Sequence, residues 1–137
     1  MARPYQKKRT KWADVVMAKY FPGWDTWTEQ VALYDFRGWD LKTVRSVGPL
    51  TFTRLMPRAD LIAIGPTELL ILEFDSQMTL TSVTRLGRYV EAIQNDYVRP
   101  EWRELKIIAV YVTPGYDARF EAECARHGYR YIVEPQP

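Results

Sequence analysis

Three carboxylates interrupt the most apolar part of this chain. Residues 58–77 read RADLIAIGPTELLILEFDSQ, with Asp60, Glu73 and Asp75 set in or beside two aliphatic runs joined at Gly65 and Pro66. Burying a charge is costly unless it is paired, hydrogen-bonded or bound to a metal. A hairpin turn centred between Pro66 and Thr67 sets Asp60 opposite Glu73. Side-chain alternation then puts Asp75 on the face of Glu73, with Leu72 and Phe74 on the other. Three acids in so small an area repel one another, and a hard divalent cation such as Mg²⁺ or Mn²⁺ relieves that repulsion. Mg²⁺ takes one or two carboxylates, keeps several waters and engages phosphate. Such an ion can activate water and stabilise charge developing on a phosphodiester. A second reading stays open. Asp60 begins its strand and Asp75 ends its own, so both can be solvated edge acids, with Arg58 or Arg85 neutralising one. Glu73, inside LLILEFD, resists that reading.

The elements that must position these acids follow from periodicity. Apolar residues at 12, 15, 16 and 20 predict a helix over 11–21, ended by Pro22 and Gly23. The spacing of Trp27, Val31 and Tyr34 predicts a second helix over 24–36, with Asp25 or Thr26 as its cap. The period then changes. Residues 42–47 and 50–56 alternate polar and apolar and read as strands, and 59–64 and 68–74 are dense enough for the sheet centre. A helix is expected over 79–97 and an apolar, parallel strand over 104–113. A short helix over 118–128, stopped at Gly128, and a last strand over 129–133 complete the order. A late strand–helix–strand unit requires a parallel crossover, so the class is α/β with a mixed sheet.

Composition bounds the rest. At 47% hydrophobic and 26% charged residues the chain is expected to be globular, one domain over 12–137 behind a basic tail over 1–11. No apolar run is long enough for a membrane span, the N-terminus lacks a signal-peptide core, and a lone Cys124 fits a reducing, cytoplasmic setting. Cys124 and His127 are single residues of their kinds, which argues against a structural zinc site; a surface helix end accounts for both. The net charge of +2 hides an asymmetry. Arg3, Lys7, Lys8, Arg9 and Lys11 fall in the first eleven residues with no acid, so the remaining basic residues are outnumbered by the 17 acids. Such a tail suits a polyanion, because each neutralised phosphate releases counterions. The alternative is a solvated tail that only aids solubility.

The order of elements, taken with the acids, resembles the PD-(D/E)XK nuclease superfamily, whose minimal α-β-β-β-α-β core residues 24–113 would cover. The resemblance implies a restriction-endonuclease-like fold, a central mixed β-sheet flanked by helices. It places the family's metal-binding aspartate at Asp60, in RAD where the family has Pro-Asp, and its D/E-x-K element at Glu73, Phe74 and Asp75. Glu29, in WTEQVAL, matches a glutamate that members carry on the helix before the sheet. Arg85 and Tyr89 have the spacing of a Gln-x-x-x-Tyr motif, with arginine in place of glutamine, and one helical turn makes them face the same way. The resemblance thus implies a divalent-metal-dependent nuclease acting on nucleic acid, DNA foremost, in which Asp60, Glu73 and Asp75 hold Mg²⁺ or Mn²⁺ and Glu29 completes the catalytic set. Lys7, Lys8, Arg9, Lys11, Lys42, Arg85 and Arg88 would meet the phosphates. The main departure is Asp75, which stands where the family has its catalytic lysine; some members use a third carboxylate there, and Lys42 could supply an ammonium from another strand. The alternative is a catalytically inactive module of the same fold that binds nucleic acid or protein, as part of a larger assembly or a homo-oligomer.

Overall fold

The structure, a computed structural model, describes residues 11–34, 56–96 and 99–137. Two seven-residue strands form its centre, β2 (Arg58–Ile64) and β3 (Glu68–Phe74). Their connection is tight, with the Gly65 amide donating to the Glu68 carbonyl at 2.8 Å. The antiparallel register pairs Leu61 with Leu72 and Ile64 with Leu69, which is the register the turn position implies. Strand β1 (Thr28–Ala32) adds antiparallel to β2. On the other side β4 (Lys106–Thr113) and β5 (Arg130–Val133) continue the sheet in parallel, in the order β1-β2-β3-β4-β5.

Strand β3 reads as an unbroken apolar run because both its faces are covered. Leu69 and Ile71 belong to one core and Leu70 and Leu72 to the other, all fully buried. The first core is closed by α2 (Leu80–Gln94) and α3 (Ala118–His127), which cross over from β3 to β4 and from β4 to β5. Val83, Leu86 and Ile93 of α2 and Phe120 and Cys124 of α3 face inward, at helical spacing. The Asp117 carboxylate caps α3 by accepting the Arg119 amide at 2.8 Å, and Gly128 ends the helix in the left-handed conformation, φ 75°. The second core is closed by α1 (Trp12–Tyr20), through Ala13, Val16 and Met17.

One expectation is overturned. Residues 28–32 are a strand, where the spacing of Trp27, Val31 and Tyr34 predicts a helix over 24–36. Val31 packs on the first core and Trp27 on the second, so these residues do not share a helical face. Four pairings to β2 and the β preference of Thr28 and Val31 outweigh the helical spacing. The helix of the α-β-β-β-α-β order is therefore α1. The strands expected at 42–47 and 50–56 lie outside the described residues except for Met56, which is buried. A short 3₁₀ segment, Pro100–Glu104, precedes β4 and buries Trp102. No helix among the described residues is long and apolar enough to cross a membrane.

Candidate functional site

Beyond the last ladder pair of β2 and β3, the chain brings Asp60 and Glu73 together. The Asp60 amide donates to Glu73 Oε1 at 3.0 Å, and the Phe74 amide donates to Asp60 Oδ2 at 2.8 Å. Carboxylates thus take the backbone donors that a continued ladder would have paired with carbonyls. Glu73 is buried and Asp60 half-buried, on the face that carries Ile62 and Ile71. Desolvation, and next the charge of Asp60, push the Glu73 carboxyl up to about 8, against the pull of the Asp60 amide and of Arg85. Burial also raises Asp60, opposed by the Phe74 amide, Gln30 and Arg85. Near neutral pH the Glu73 carboxyl is therefore held mainly in its protonated form, beside an Asp60 whose carboxyl is also raised.

Arg85 and Tyr89 of α2 stand over this pair. Both line a cleft of about 310 Å³ with Asp60, Glu73, Arg58 and Asp75. Burial and the Glu73 charge raise the Tyr89 phenol, with Arg85 opposing. The one-turn spacing on α2 thus directs both side chains to the acids, and Arg58 and Arg85, the two neutralisers named from sequence, both reach the cleft. Gln30 arrives from β1. It has φ 54°, unusual for a residue other than glycine, and its side-chain Nε2 donates to Asp60 Oδ1 at 3.4 Å while its backbone carbonyl accepts from Arg58 at 3.1 Å.

Asp75 lines the same cleft with its carboxylate already engaged. It accepts the amides of Gln77 (3.1 Å), Met78 (2.9 Å) and Thr79 (2.7 Å), and the hydroxyl of Tyr111. These bonds shape the loop over 75–79 that delivers the chain into α2, and they let Met78 hold φ 55°. The Tyr111 phenol is raised by burial and by this acid. Among the described residues, no group of three or more His, Cys, Asp or Glu is disposed to hold a metal ion. Asp60 and Glu73 supply the two carboxylates a Mg²⁺ site requires at least in part, but each already accepts a backbone amide, and Asp75 faces four donors of its own. The donor set does not fit the three-carboxylate centre expected from sequence.

The remaining expected residues lie elsewhere. Glu29 is on β1 rather than a helix. It is paired with Leu61 of the second core and takes an ion pair from Lys11 at 3.5 Å, so it is on the sheet face opposite Asp60. Arg88 is exposed on α2 and does not line the cleft. Lys7, Lys8, Arg9 and Lys42 lie outside the described residues. Cys124 is a core residue, with its thiol pushed up to about 11 by burial, and His127 contacts Glu123 at the surface. Sequence reasoning missed Gln30 and Tyr111. Tyr111 had a signal, as the one hydroxyl in the aliphatic run IIAVYV; Gln30 had none once its segment read as helix.

Comparison with known proteins agrees with this architecture. No protein-family model matches the chain, and a comparison with curated proteins returns no match. Among solved structures, the chain is similar to a repair endonuclease from Pyrococcus abyssi, with a TM-score of 0.55 and 11% identity over 100% of this chain and 49% of that one. A weaker likeness is to an EndoMS–dsDNA2 complex, TM-score 0.49 and 15% identity, over 93% of this chain and 44% of that one. The chain thus spans about half the length of the structures it matches. The class defined is the fold: a mixed sheet flanked by helices, of restriction-endonuclease-like architecture.

Proposed function

We propose that this chain is a nucleic-acid-binding module built on a nuclease fold, one that lacks the hydrolytic metal centre and serves as a binding part of a larger assembly. The observation that carries this reading is Asp75. By the sequence resemblance it stands where the superfamily has a lysine, and it is engaged in loop structure by three amides and the Tyr111 hydroxyl, leaving Asp60 and Glu73 as a pair. Nucleic acid is supported by the guanidinium groups of Arg58 and Arg85 in the cleft, by the basic run over 1–11, and by the likeness of the fold to that of a repair endonuclease. Charge-assisted contacts from two arginines suit a backbone phosphate, and the Glu73 proton lowers the repulsion such a phosphate would meet. In this reading residues 12–137 act as one domain and the tail over 1–11 adds contacts at a distance.

Replacing Arg58 or Arg85 by alanine is expected to weaken binding of a labelled DNA duplex or single strand by about tenfold each, from the loss of a charged hydrogen bond. Wild-type affinity in both variants would remove the cleft from the account. The reading as a Mg²⁺- or Mn²⁺-dependent nuclease is favoured by one observation, the meeting of Asp60 and Glu73. Mn²⁺-dependent cleavage that Glu73→Ala abolishes would establish it.

A further inference from the structure

Large apolar side chains are exposed at few places among the described residues, and two of them lie at the sheet end that carries the cleft. Tyr116 is 62% exposed and Leu80 40%; the third, Ile64, is at the opposite end of the sheet, as the last residue of β2. Tyr116 follows the C-terminal end of β4 and Leu80 opens α2 just past the end of β3, and those strand ends are neighbours in the parallel ladder. The loops abut: a Cβ on Gly115 would lie 4.0 Å from Met78 Sδ. The same 75–79 loop turns Ser76, Gln77 and Thr79 into the cleft, so its two sides face the cleft and Gly115. The Tyr116 ring is held in place. Its hydroxyl donates to Glu121 Oε1 at 3.1 Å, and it lies against Tyr131 with ring centroids 6.4 Å apart and planes tilted by 45°.

We propose that Tyr116, at the sheet end that carries the cleft, is a stacking shelf for one unpaired nucleobase of a strand whose phosphate occupies the Arg58–Arg85 cleft. This rests on the nucleic-acid reading above and extends it to the form of the ligand. The chemistry selects the base over other parts of a nucleotide. Asp117 and Glu121 stand near the ring, with Asp117 ion-paired to Arg119 at 2.9 Å, so a phosphate is disfavoured there. A nucleobase presents a neutral π-face that an exposed, positioned tyrosine receives whatever the sequence. In a duplex both faces of each base are covered by neighbours. The shelf therefore favours single-stranded or locally opened nucleic acid, and cleft and shelf together read one phosphate and one base.

The test is fluorescence anisotropy of the full chain with a labelled single strand, the same strand with an abasic position walked along it, and the matched duplex. Tyr116→Ala is expected to weaken single-strand binding on the order of 5- to 100-fold, with duplex binding unchanged. Tyr116→Phe should keep most of the affinity. With the abasic position at the shelf, wild type and Tyr116→Ala should become equal. Full affinity of Tyr116→Leu would overturn stacking in favour of an apolar contact, as a protein partner would use. Wild-type affinity of Tyr116→Ala for the single strand, or equal losses on all three ligands, would overturn the shelf and leave the nucleic-acid reading standing. Wild-type protein that binds none of them overturns both.

Discussion

Glu73 is the residue whose surroundings most constrain what this site can do. Its folded pKa, about 8, lies above the value of 4.5 for an unperturbed glutamate. Between those values the native chain keeps a proton that the unfolded chain has released. Stability from this group is therefore full below about 4.5 and declines as pH rises to about 8, with a slope approaching about 1.4 kcal/mol per pH unit. Glu73→Gln, which mimics the protonated acid and keeps an oxygen for the Asp60 amide, should flatten that decline and raise stability at pH 8 and above. Urea melts across the range measure it, and parallel curves for the two proteins would contradict a raised Glu73 carboxyl. Asp75 supplies the complementary case. Asp75→Lys places a lysine where the resembled superfamily has one, yet removes the acceptor for three amides and Tyr111, and should destabilise the fold by about 2–4 kcal/mol. An Asp75→Lys protein as stable as wild type would show that the loop does not depend on the acid.

At the scale of elements, the acids meet because two strands end in register, and that much was legible. The Gly65-Pro66 turn and two apolar runs of equal length determine which residues face each other, so the Asp60–Glu73 pairing follows from the sequence alone. The one-turn spacing of Arg85 and Tyr89 was legible for the same reason, as local geometry. Residues 24–36 were not. Trp27, Val31 and Tyr34 satisfy helical spacing by coincidence, and only pairing with β2, a long-range contact, makes a strand of Thr28–Ala32. Glu29 was misplaced with that segment. The role of Asp75 was hidden too, because period two gives its face and says nothing of amides in the following loop. The C-terminal end of β1 shows another device invisible to periodicity. Arg99 donates to the Ala32 carbonyl at 2.8 Å, grips the fully buried Asp96 at 2.7 and 2.9 Å, and stacks on Trp102 with its guanidinium 3.8 Å from the ring centroid. It ties β1 to the end of α2 and to the 3₁₀ segment. Arg99→Ala should cost about 3–5 kcal/mol by leaving Asp96 buried without this partner. Arg99→Lys should recover only part of that, since an ammonium lacks the planar fork. Thermal or urea unfolding distinguishes these outcomes, and full recovery in Arg99→Lys would show that charge alone suffices.

For the whole molecule, the mixed sheet holds an acid pair and two arginines at one end, on a face closed by α2 and α3, while α1 covers the other face. The basic run before residue 12 is legible only as composition, and its contribution is long-range. Neutralising Lys7, Lys8 and Arg9 is expected to weaken nucleic-acid binding and to reduce the salt slope by about 0.7–0.9 for each phosphate the tail no longer neutralises. An unchanged slope would assign the tail no role in binding. The central claim is that this nuclease fold binds nucleic acid without cutting it. One titration tests it most directly: the full chain is added to end-labelled single-stranded and duplex DNA and RNA with Mn²⁺ present, binding is followed by anisotropy, and each sample is then resolved on a denaturing gel. The account predicts saturable, salt-dependent binding with every strand intact. Shortened strands that appear only with Mn²⁺ and disappear with Glu73→Ala would contradict it.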